Sequence, residues 1–173
     1  MLLLVRHAHA GDKGHWQGPD TLRPLSGAGQ GEAAGLVVRL EDYPIGCILS
    51  SPTLRCLQTV QPLALDRLMG VEAVPALGVE ADPGVVLGRL GGLQAQDAVV
   101  CTHGEVIGQV LARLVADGMA IDQPLAWPKG STWLLDGSDG HFAVGRYLQP
   151  LRLADALTHT SQQGHRPSAT LRR

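Results

Sequence analysis

A set of short apolar runs, separated by helix-like segments, constrains the fold more than any other feature of this chain. Residues 2–5, 47–50 and 98–101 are almost wholly apolar and short, which is typical of strands buried on both faces of a parallel sheet. Residues 71–74 form a weaker run of the same kind. Strands that alternate with helices predict an α/β domain with a mostly parallel sheet and helices on both faces.

The helices begin at sequence signals for N-terminal caps. Ser26 precedes a segment with a helical pattern over residues 27–41, and Asp82 precedes a proline that suits the first helical position. Thr102 and Glu105 form the Thr-x-x-Glu pattern of a capping box, which predicts a helix to about residue 116. Each of these helices follows one of the predicted strands.

The sequence of the last part of the domain predicts two strands that pair with each other. Residues 131–135 and 141–147 are strand-like, and a Gly-Ser-Asp-Gly turn separates them, so we expect them to be antiparallel. The predicted fold class is therefore a three-layer α/β/α sandwich, with a mostly parallel sheet and an antiparallel edge strand. We expect residues 1–150 to form this domain and the polar residues 151–173 to form a C-terminal tail.

Charge and cysteine content exclude some classes of protein. The chain has 173 residues and a formal net charge of −2, so it lacks the positive field that a binder of nucleic acid polymers needs. Its three cysteines form no CxxC pair, which favours a reducing, cytoplasmic location. The first apolar run is too short for a signal peptide or a membrane span, so no membrane association is expected.

Polar side chains follow three of the predicted strands. Arg6 and His7 follow the first strand, Arg55 lies shortly after the second, and His103 follows the strand at 98–101. The carboxyl ends of parallel strands meet at one edge of a sheet, which is where α/β proteins bind ligands. Helices begin at two of these places, and helix N-termini attract anions. The sequence therefore predicts an anion pocket, most plausibly for a phosphoryl group.

These residues also lie in motifs of a known family. Leu-Val-Arg-His-Ala at residues 4–8 resembles the Arg-His-Gly signature of the histidine phosphatase superfamily, which has a phosphoglycerate-mutase-like fold. The resemblance continues through Pro-Leu-Ser-x-x-Gly at 24–29, Ser-Ser-Pro-x-x-Arg-x-x-x-Thr at 50–59 and Thr-His-Gly at 102–104. The short chain, with Arg-Pro-Leu-Ser at 23–26, is similar to the small SixA-type phosphohistidine phosphatases.

The resemblance implies a mechanism and a set of catalytic residues. His7 would be the nucleophile that becomes phosphorylated, and a neutral imidazole is needed for that attack. Arg6, Arg55 and His103 would bind the phosphoryl oxygens together with His7, and His103 would also take part in catalysis. No metal or other cofactor is expected, because the arginines would neutralise the phosphate charge.

The remaining roles are less constrained by the motifs. Glu80 is the candidate proton donor, and its alternative, Asp82, is better placed to cap the next helix. Lys13 and Arg23 are candidates for the rim of the pocket. Arg23 has the alternative of forming a salt bridge with Asp20.

Three rival chemistries fit the sequence less well. His7-x-His9 after a first strand, with His15, resembles the metal site of barrel metallohydrolases, but such barrels need about 250 residues and a later carboxylate cluster. None of the three cysteines is followed by an arginine at the Cys-x5-Arg spacing of cysteine phosphatases. No Gly-x-x-x-x-Gly-Lys phosphate-binding loop is present.

The sequence thus predicts a metal-independent phosphatase that hydrolyses phosphomonoesters or phosphohistidine through a phosphohistidine on His7. Its partner would be a phosphorylated small molecule or a phosphoprotein. Alternatives are hydrolysis of nucleotides, dinucleoside polyphosphates or phosphosugars by the same site, and a non-catalytic module that binds phosphate. The sequence leaves the physiological substrate and the oligomeric state open.

Overall fold

A computed structural model describes residues 1–152 of the chain. Within them, the helices are α1 (Gly27–Arg39), α2 (Leu54–Asp66), α3 (Pro83–Leu93) and α4 (Gly104–Ala116). The strands are β1 (Leu2–Arg6), β2 (Cys47–Ser50), β3 (Glu72–Ala73), β4 (Ala98–Thr102), β5 (Ala120–Ile121), β6 (Thr132–Ser138) and β7 (His141–Leu148).

The strands form one sheet in the order β3-β2-β4-β1-β6-β7-β5. Neighbours from β3 to β1 are all parallel, and so are β5 and β7, whereas β6 is antiparallel to both of its neighbours. The predicted α/β class with a mostly parallel sheet is confirmed. Because the parallel half of the sheet holds β1, β2 and β4 side by side, their carboxyl ends share one rim.

The sheet contains an antiparallel strand as predicted, but the prediction that this strand lies at the edge of the sheet is wrong. β6 is the antiparallel strand, and it lies inside the sheet between β1 and β7. The hairpin reverses the chain again at Asp139 and Gly140, both with positive φ, so β7 runs parallel to the rest of the sheet. The free side of β7 then pairs with β5, whose two residues are too few to show a strand period in the sequence.

Alternate residues of β1 pack into separate layers on the two faces of the sheet. Leu2 and Leu4 belong to a cluster that includes apolar residues of α3 and α4, while Leu3 and Val5 belong to one that includes residues of α1 and α2. This period of two is what a pleated strand imposes. All four side chains are fully buried, which places the rim residues directly above the hydrophobic core.

Two of the three predicted helix caps are confirmed. The Ser26 hydroxyl accepts from the Gly29 N–H at 3.2 Å, and the Asp82 carboxylate accepts from the Val85 N–H at 3.0 Å. The predicted capping box at the start of α4 is wrong. Thr102 is the last residue of β4, and its hydroxyl donates to the Leu77 carbonyl at 2.7 Å instead of capping the helix.

Two predictions concern parts of the chain that lie partly outside this description. The predicted C-terminal tail, residues 151–173, lies outside the described residues from residue 153 onward, and the division at residue 150 stays a prediction.

Among residues 1–152, no helix combines the length and the apolar character needed to cross a membrane.

Candidate active site

His7 lies immediately beyond β1, at the centre of the rim. Its backbone N–H donates to the Thr102 carbonyl at 3.0 Å, and its own carbonyl accepts from the Gly130 N–H at 3.3 Å. These bonds fix the residue between the end of β4 and the segment that leads into β6. The residue is only 6% exposed. The imidazole is therefore buried where β1 meets its two neighbouring strands.

The surroundings of His7 determine its tautomer and its charge. Its Nδ1 lies 2.8 Å from the Ala8 carbonyl oxygen, which can only accept, so Nδ1 carries the hydrogen and Nε2 keeps a lone pair. Burial lowers the pKa of His7 to about 3, and the nearby charges of Arg55 and Arg6 act in the same direction. The hydrogen bond to Ala8 opposes this only in part. The imidazole is consequently neutral near pH 7.

Arg6 is held across the first turn of α4. Its Nη1 donates to the Trp127 carbonyl at 2.6 Å, and its guanidinium lies against Gly104. A Cβ at position 104 would come within 2.6 Å of the Arg6 Cζ, so the Thr-His-Gly sequence needs glycine there. Burial lowers the pKa of Arg6, and Glu105 partly offsets this, but an arginine stays charged.

Arg55 occupies the first turn of α2 and is 3% exposed. Its Nη1 donates to the Asp20 carbonyl at 2.7 Å, and its Nη2 lies 3.1 Å from the Asp20 carboxylate and 3.4 Å from His103 Nδ1. The Nε atoms of Arg55 and Arg6 are both buried without a hydrogen-bond partner in the described part of the chain. The Nε atoms of Arg39 and Arg67 are also buried there without a hydrogen-bond partner, so it is the position of Arg6 and Arg55 beside the two histidines, together with their unpartnered donors, that points to an anion site.

His103 completes the group and is 1% exposed. Its Nδ1 lies 3.4 Å from Arg55 Nη2, and its Nε2 lies 2.9 Å from the Ser51 hydroxyl oxygen. The His103 ring stands nearly perpendicular to that of His7, with centroids 5.4 Å apart and an interplanar angle of 65°. The structure thus brings together all four residues that the three strand ends predicted: Arg6, His7, Arg55 and His103.

The hydroxyl side chains of Thr59 and Ser51 hold this cluster in place, although no role was predicted for them from the sequence. Thr59 accepts from the Ala8 N–H at 2.9 Å and donates to the Arg55 carbonyl at 2.7 Å, which ties α2 to the residue after His7. Ser51 holds His103 from the end of β2. Both lie in the Ser-Ser-Pro-x-x-Arg-x-x-x-Thr pattern, so the motif contained their positions but not their partners.

The loop between β1 and α1 folds back onto the cluster through Asp20. Its carboxylate accepts from Arg23 Nε at 2.8 Å and also pairs with Arg55. The hydrogen bond from Arg23 is the main cause that lowers the pKa of Asp20, and Arg55 and Lys13 add to it. Of the two alternatives open for Arg23, the structure shows the salt bridge with Asp20. The contact from Asp20 to Arg55 had no signal in the sequence.

Two other candidates stay at the surface. Lys13 is exposed on a short 3-10 turn, and it is near enough to Asp20 to contribute to the lowering of that pKa. Glu80 is exposed between Leu77 and α3, and within residues 1–152 it makes no hydrogen bond or ion pair. Asp82, the alternative to Glu80, caps α3 as expected.

The histidines near the N-terminus do not converge as metal ligands would. His7 Nδ1 faces a backbone carbonyl, whereas His9 Nδ1 lies 2.7 Å from the Ser26 hydroxyl. His15 pairs with Asp12 on an exposed turn. Over residues 1–152, no group of three or more histidine, cysteine or carboxylate side chains is arranged to hold a metal ion.

Comparison with known proteins now identifies the family. The family model of the histidine phosphatase superfamily (branch 1) matches residues 2–91, so the chain belongs to that superfamily, as its motifs predicted. The 8-oxo-(d)GTP phosphatase of Mycolicibacterium smegmatis is 33% identical over 156 residues, which cover 86% of this chain and 48% of the relative. The chain therefore spans about half the length of that relative.

Solved structures confirm the fold. The protein histidine phosphatase SixA complexed with tungstate has a TM-score of 0.68 and 20% identity, with 90% of this chain and 98% of that chain covered. The α-ribazole phosphatase of Shigella flexneri has a TM-score of 0.64, 17% identity and coverage of 87% and 95%. The mycobacterial glucosyl-3-phosphoglycerate phosphatase has a TM-score of 0.62 and 16% identity, with 84% of this chain and 95% of that chain covered. At these identities the likeness establishes the fold alone.

Proposed function

We propose that this chain is a metal-independent phosphatase that passes a phosphoryl group through Nε2 of His7. One observation carries the proposal. A neutral, buried imidazole with a free Nε2 lone pair lies beside Arg6, which is partly buried, and Arg55, which is buried. The Nε–H groups of both arginines are buried and lack partners within residues 1–152. A nucleophile beside unsatisfied cationic donors is the arrangement that phosphoryl transfer requires.

In the first step, the Nε2 lone pair attacks phosphorus. An N–P bond forms, and the bond from phosphorus to the leaving oxygen, or to nitrogen in a phosphohistidine, breaks with its electron pair going to the leaving group. Arg6, Arg55 and His103 hold the non-bridging oxygens and stabilise the charge that spreads over them. The Ala8 carbonyl stabilises the positive charge that His7 acquires, through the hydrogen bond from Nδ1.

Glu80 is proposed as the group that protonates the leaving atom. The segment that carries it follows Leu77, whose carbonyl accepts from the Thr102 hydroxyl at the end of β4, and this contact supports a position of the segment near the rim. The same carboxylate then accepts a proton from water as the water attacks the phosphohistidine. This attack releases inorganic phosphate and restores the neutral His7. Lys13 and Arg23 are proposed to contribute positive charge at the rim.

Glu80 can be tested separately from the nucleophile. Glu80→Gln should lower kcat for an alkyl phosphate by about 100-fold, because that leaving group needs a proton, and kcat for p-nitrophenyl phosphate by much less. Asp82→Asn is the matched control, since that carboxylate caps α3. Equal losses on the two substrates would rule out Glu80 as the proton donor.

The relatives support phosphatase chemistry but differ in substrate. One is named for 8-oxo-(d)GTP, another for phosphohistidine, and others for α-ribazole and a glucosyl phosphoglycerate. Phosphomonoesters, phosphohistidine and nucleotides all present the same tetrahedral phosphoryl group. A site built from arginines and histidines recognises that group and not the rest of the substrate.

The decisive experiment follows phosphate from substrate to protein. Wild-type protein treated with a radiolabelled aryl phosphate should acquire an acid-labile, base-stable label, and His7→Ala should lose both label and turnover, by about 10⁴-fold or more. His9→Ala is the matched control, because His9 contacts Ser26 outside the cluster. EDTA should leave the wild-type rate unchanged. Phosphate binding with no turnover by the wild type would favour the non-catalytic module instead.

A further inference from the structure

A cavity adjoins the proposed phosphate site on the side of α4. It has a volume of about 300 Å³ and is lined by Arg6, Gly104, Glu105, Gly108, Gln109 and Trp127. The mechanism above uses only Arg6 from this set. Because Arg6 lines the cavity and also acts on His7, whose pKa it helps to lower, the phosphate site and the cavity share one side chain. A phosphate bound at Arg6 has the cavity as a neighbouring space for the rest of its substrate.

Trp127 gives the cavity an aromatic wall in a fixed place. Its indole packs on Gly108 so closely that a Cβ there would lie 2.8 Å from Trp127 Cζ2. Its backbone carbonyl accepts from Arg6 Nη1, so the same residue positions the arginine. The ring is partly buried against the core cluster beneath α4. A partly exposed indole held in this way is a surface on which a flat ring can stack.

The polar groups of the cavity indicate what kind of ring it takes. Glu105 and Gln109 are exposed, lie four residues apart on α4 and therefore share one face. Glu105 can only accept hydrogen bonds when ionised, whereas the Gln109 amide can donate as well. A purine base presents an N–H donor beside an acceptor on one edge, which matches this pair.

The charge of Glu105 also argues against other occupants. A carboxylate beside the cavity repels a second phosphate or a sugar acid, so the part of the substrate that lies here should carry no negative charge. An imidazole from a phosphohistidine would fill only a small part of the volume.

We propose that this cavity is the leaving-group subsite and that it binds the purine base of a nucleoside 5′-monophosphate. The proposal rests on the function proposed above, since Arg6 and His7 must bind the phosphate for the base to reach the cavity. It assigns specificity to Trp127, Glu105 and Gln109 and leaves the chemistry to the cluster at the strand ends.

The test compares substrates that share the phosphate and differ in the base. For the wild type, kcat/KM for GMP and AMP should exceed that for ribose 5-phosphate by about tenfold or more. The kcat/KM for UMP should lie between the purine nucleotides and ribose 5-phosphate. Gln109→Ala should lower kcat/KM for the purine nucleotides by about fivefold and leave ribose 5-phosphate within about twofold. Trp127→Leu should remove most of the preference. Arg113→Ala, on α4 outside the cavity, is the control.

The outcomes separate this inference from the proposed function. If no phosphate is hydrolysed in a His7-dependent manner, the proposed function fails. If ribose 5-phosphate is hydrolysed as well as GMP, or a phosphohistidine peptide is preferred, only the purine subsite is overturned. A Gln109→Ala variant that loses activity equally on all substrates would show a structural role and would also overturn it.

Discussion

Two regions of the same strands are equally buried and chemically opposite. Within β1 and β4, the apolar residues from Leu2 to Val5 and from Ala98 to Cys101 are fully buried. At the carboxyl ends of those strands, His7 and His103 are also buried, at 6% and 1% exposure. The side chains of the sheet core and of the sheet rim are thus buried to a similar extent. The two regions differ in the contacts that a buried side chain needs.

The difference lies in how each region is stabilised. The core depends on apolar area removed from water, which needs no particular partner atom. Every polar group of the rim needs a specific partner, such as Ala8 for His7, Ser51 for His103 and Asp20 for Arg55. At the buried Nε atoms of Arg6 and Arg55, residues 1–152 supply no partner, and it is there that we propose an anion binds. Stability and chemistry should therefore respond to different substitutions.

A core substitution should have the largest effect, and it should fall on stability. Leu4→Ala removes a fully buried side chain and should lower the free energy of unfolding by about 2–5 kcal/mol. Thermal unfolding should show a loss of about 10 °C, while kcat of the folded protein at 25 °C stays within about twofold. Leu65→Ala, at a position 66% exposed, is the control. A large loss of kcat in Leu4→Ala would break the proposed separation.

Arg55→Lys should reverse that pattern. An ammonium cannot bind the Asp20 carbonyl and carboxylate and also reach a phosphate, so kcat/KM for an aryl phosphate should fall by about 100-fold. The melting temperature should fall by much less than in Leu4→Ala. Arg67→Lys, at the other end of α2, is the matched control and should keep full activity. Near-normal activity of Arg55→Lys would contradict the proposed contact from Arg55 to the phosphate.

Asp20→Asn should affect both properties. It leaves Arg23 and Arg55 without their anionic partner, and we expect about 1–2 kcal/mol of destabilisation, since the carboxylate is one-third exposed and screened by solvent. The lowered pKa of Asp20 means that this contribution is present above its ordinary pKa of 3.8 and is lost as pH falls through the folded value. Melting curves of variant and wild type should therefore differ at pH 7 and converge once pH has fallen below the folded pKa of Asp20. A constant difference would exclude the ion pair as its cause.

The titration of His7 should have the smallest effect near pH 7 and should become apparent only under acidic conditions. Its pKa is about 3 in the folded protein against 6.5 for an unperturbed histidine, so the unfolded chain binds the extra proton between these values. Stability should fall as pH decreases from 6.5 towards 3, by at most about 1.4 kcal/mol per pH unit, and should be fully present above pH 6.5. His7→Gln should flatten this part of the melting profile. An unchanged profile would mean that His7 is not the buried neutral base.

Local sequence determined much of this protein. Continuous apolar runs placed β1, β2 and β4, because strands buried on both faces leave no polar position. Caps such as Ser26 and Asp82 were readable because they bond to groups only three residues away. The order of strand and helix along the chain then implied that Arg6, His7, Arg55 and His103 share a rim, since the carboxyl ends of parallel strands meet at one edge.

Only the tertiary structure decided the partners of those residues and the details of the sheet. Asp20 lies 35 residues from Arg55, and Trp127 lies 121 residues from Arg6, so no local pattern links either pair. β6 is interior because it pairs with β1 on one side and with β7 on the other, and its pairing with β1 joins the two ends of the domain, which no local pattern signals. The sequence fixes a residue's element through periodicity and capping, which act over a few residues. Its contacts depend on how distant segments pack, and that packing alone sets the charge of His7 and the shape of the cavity beside it.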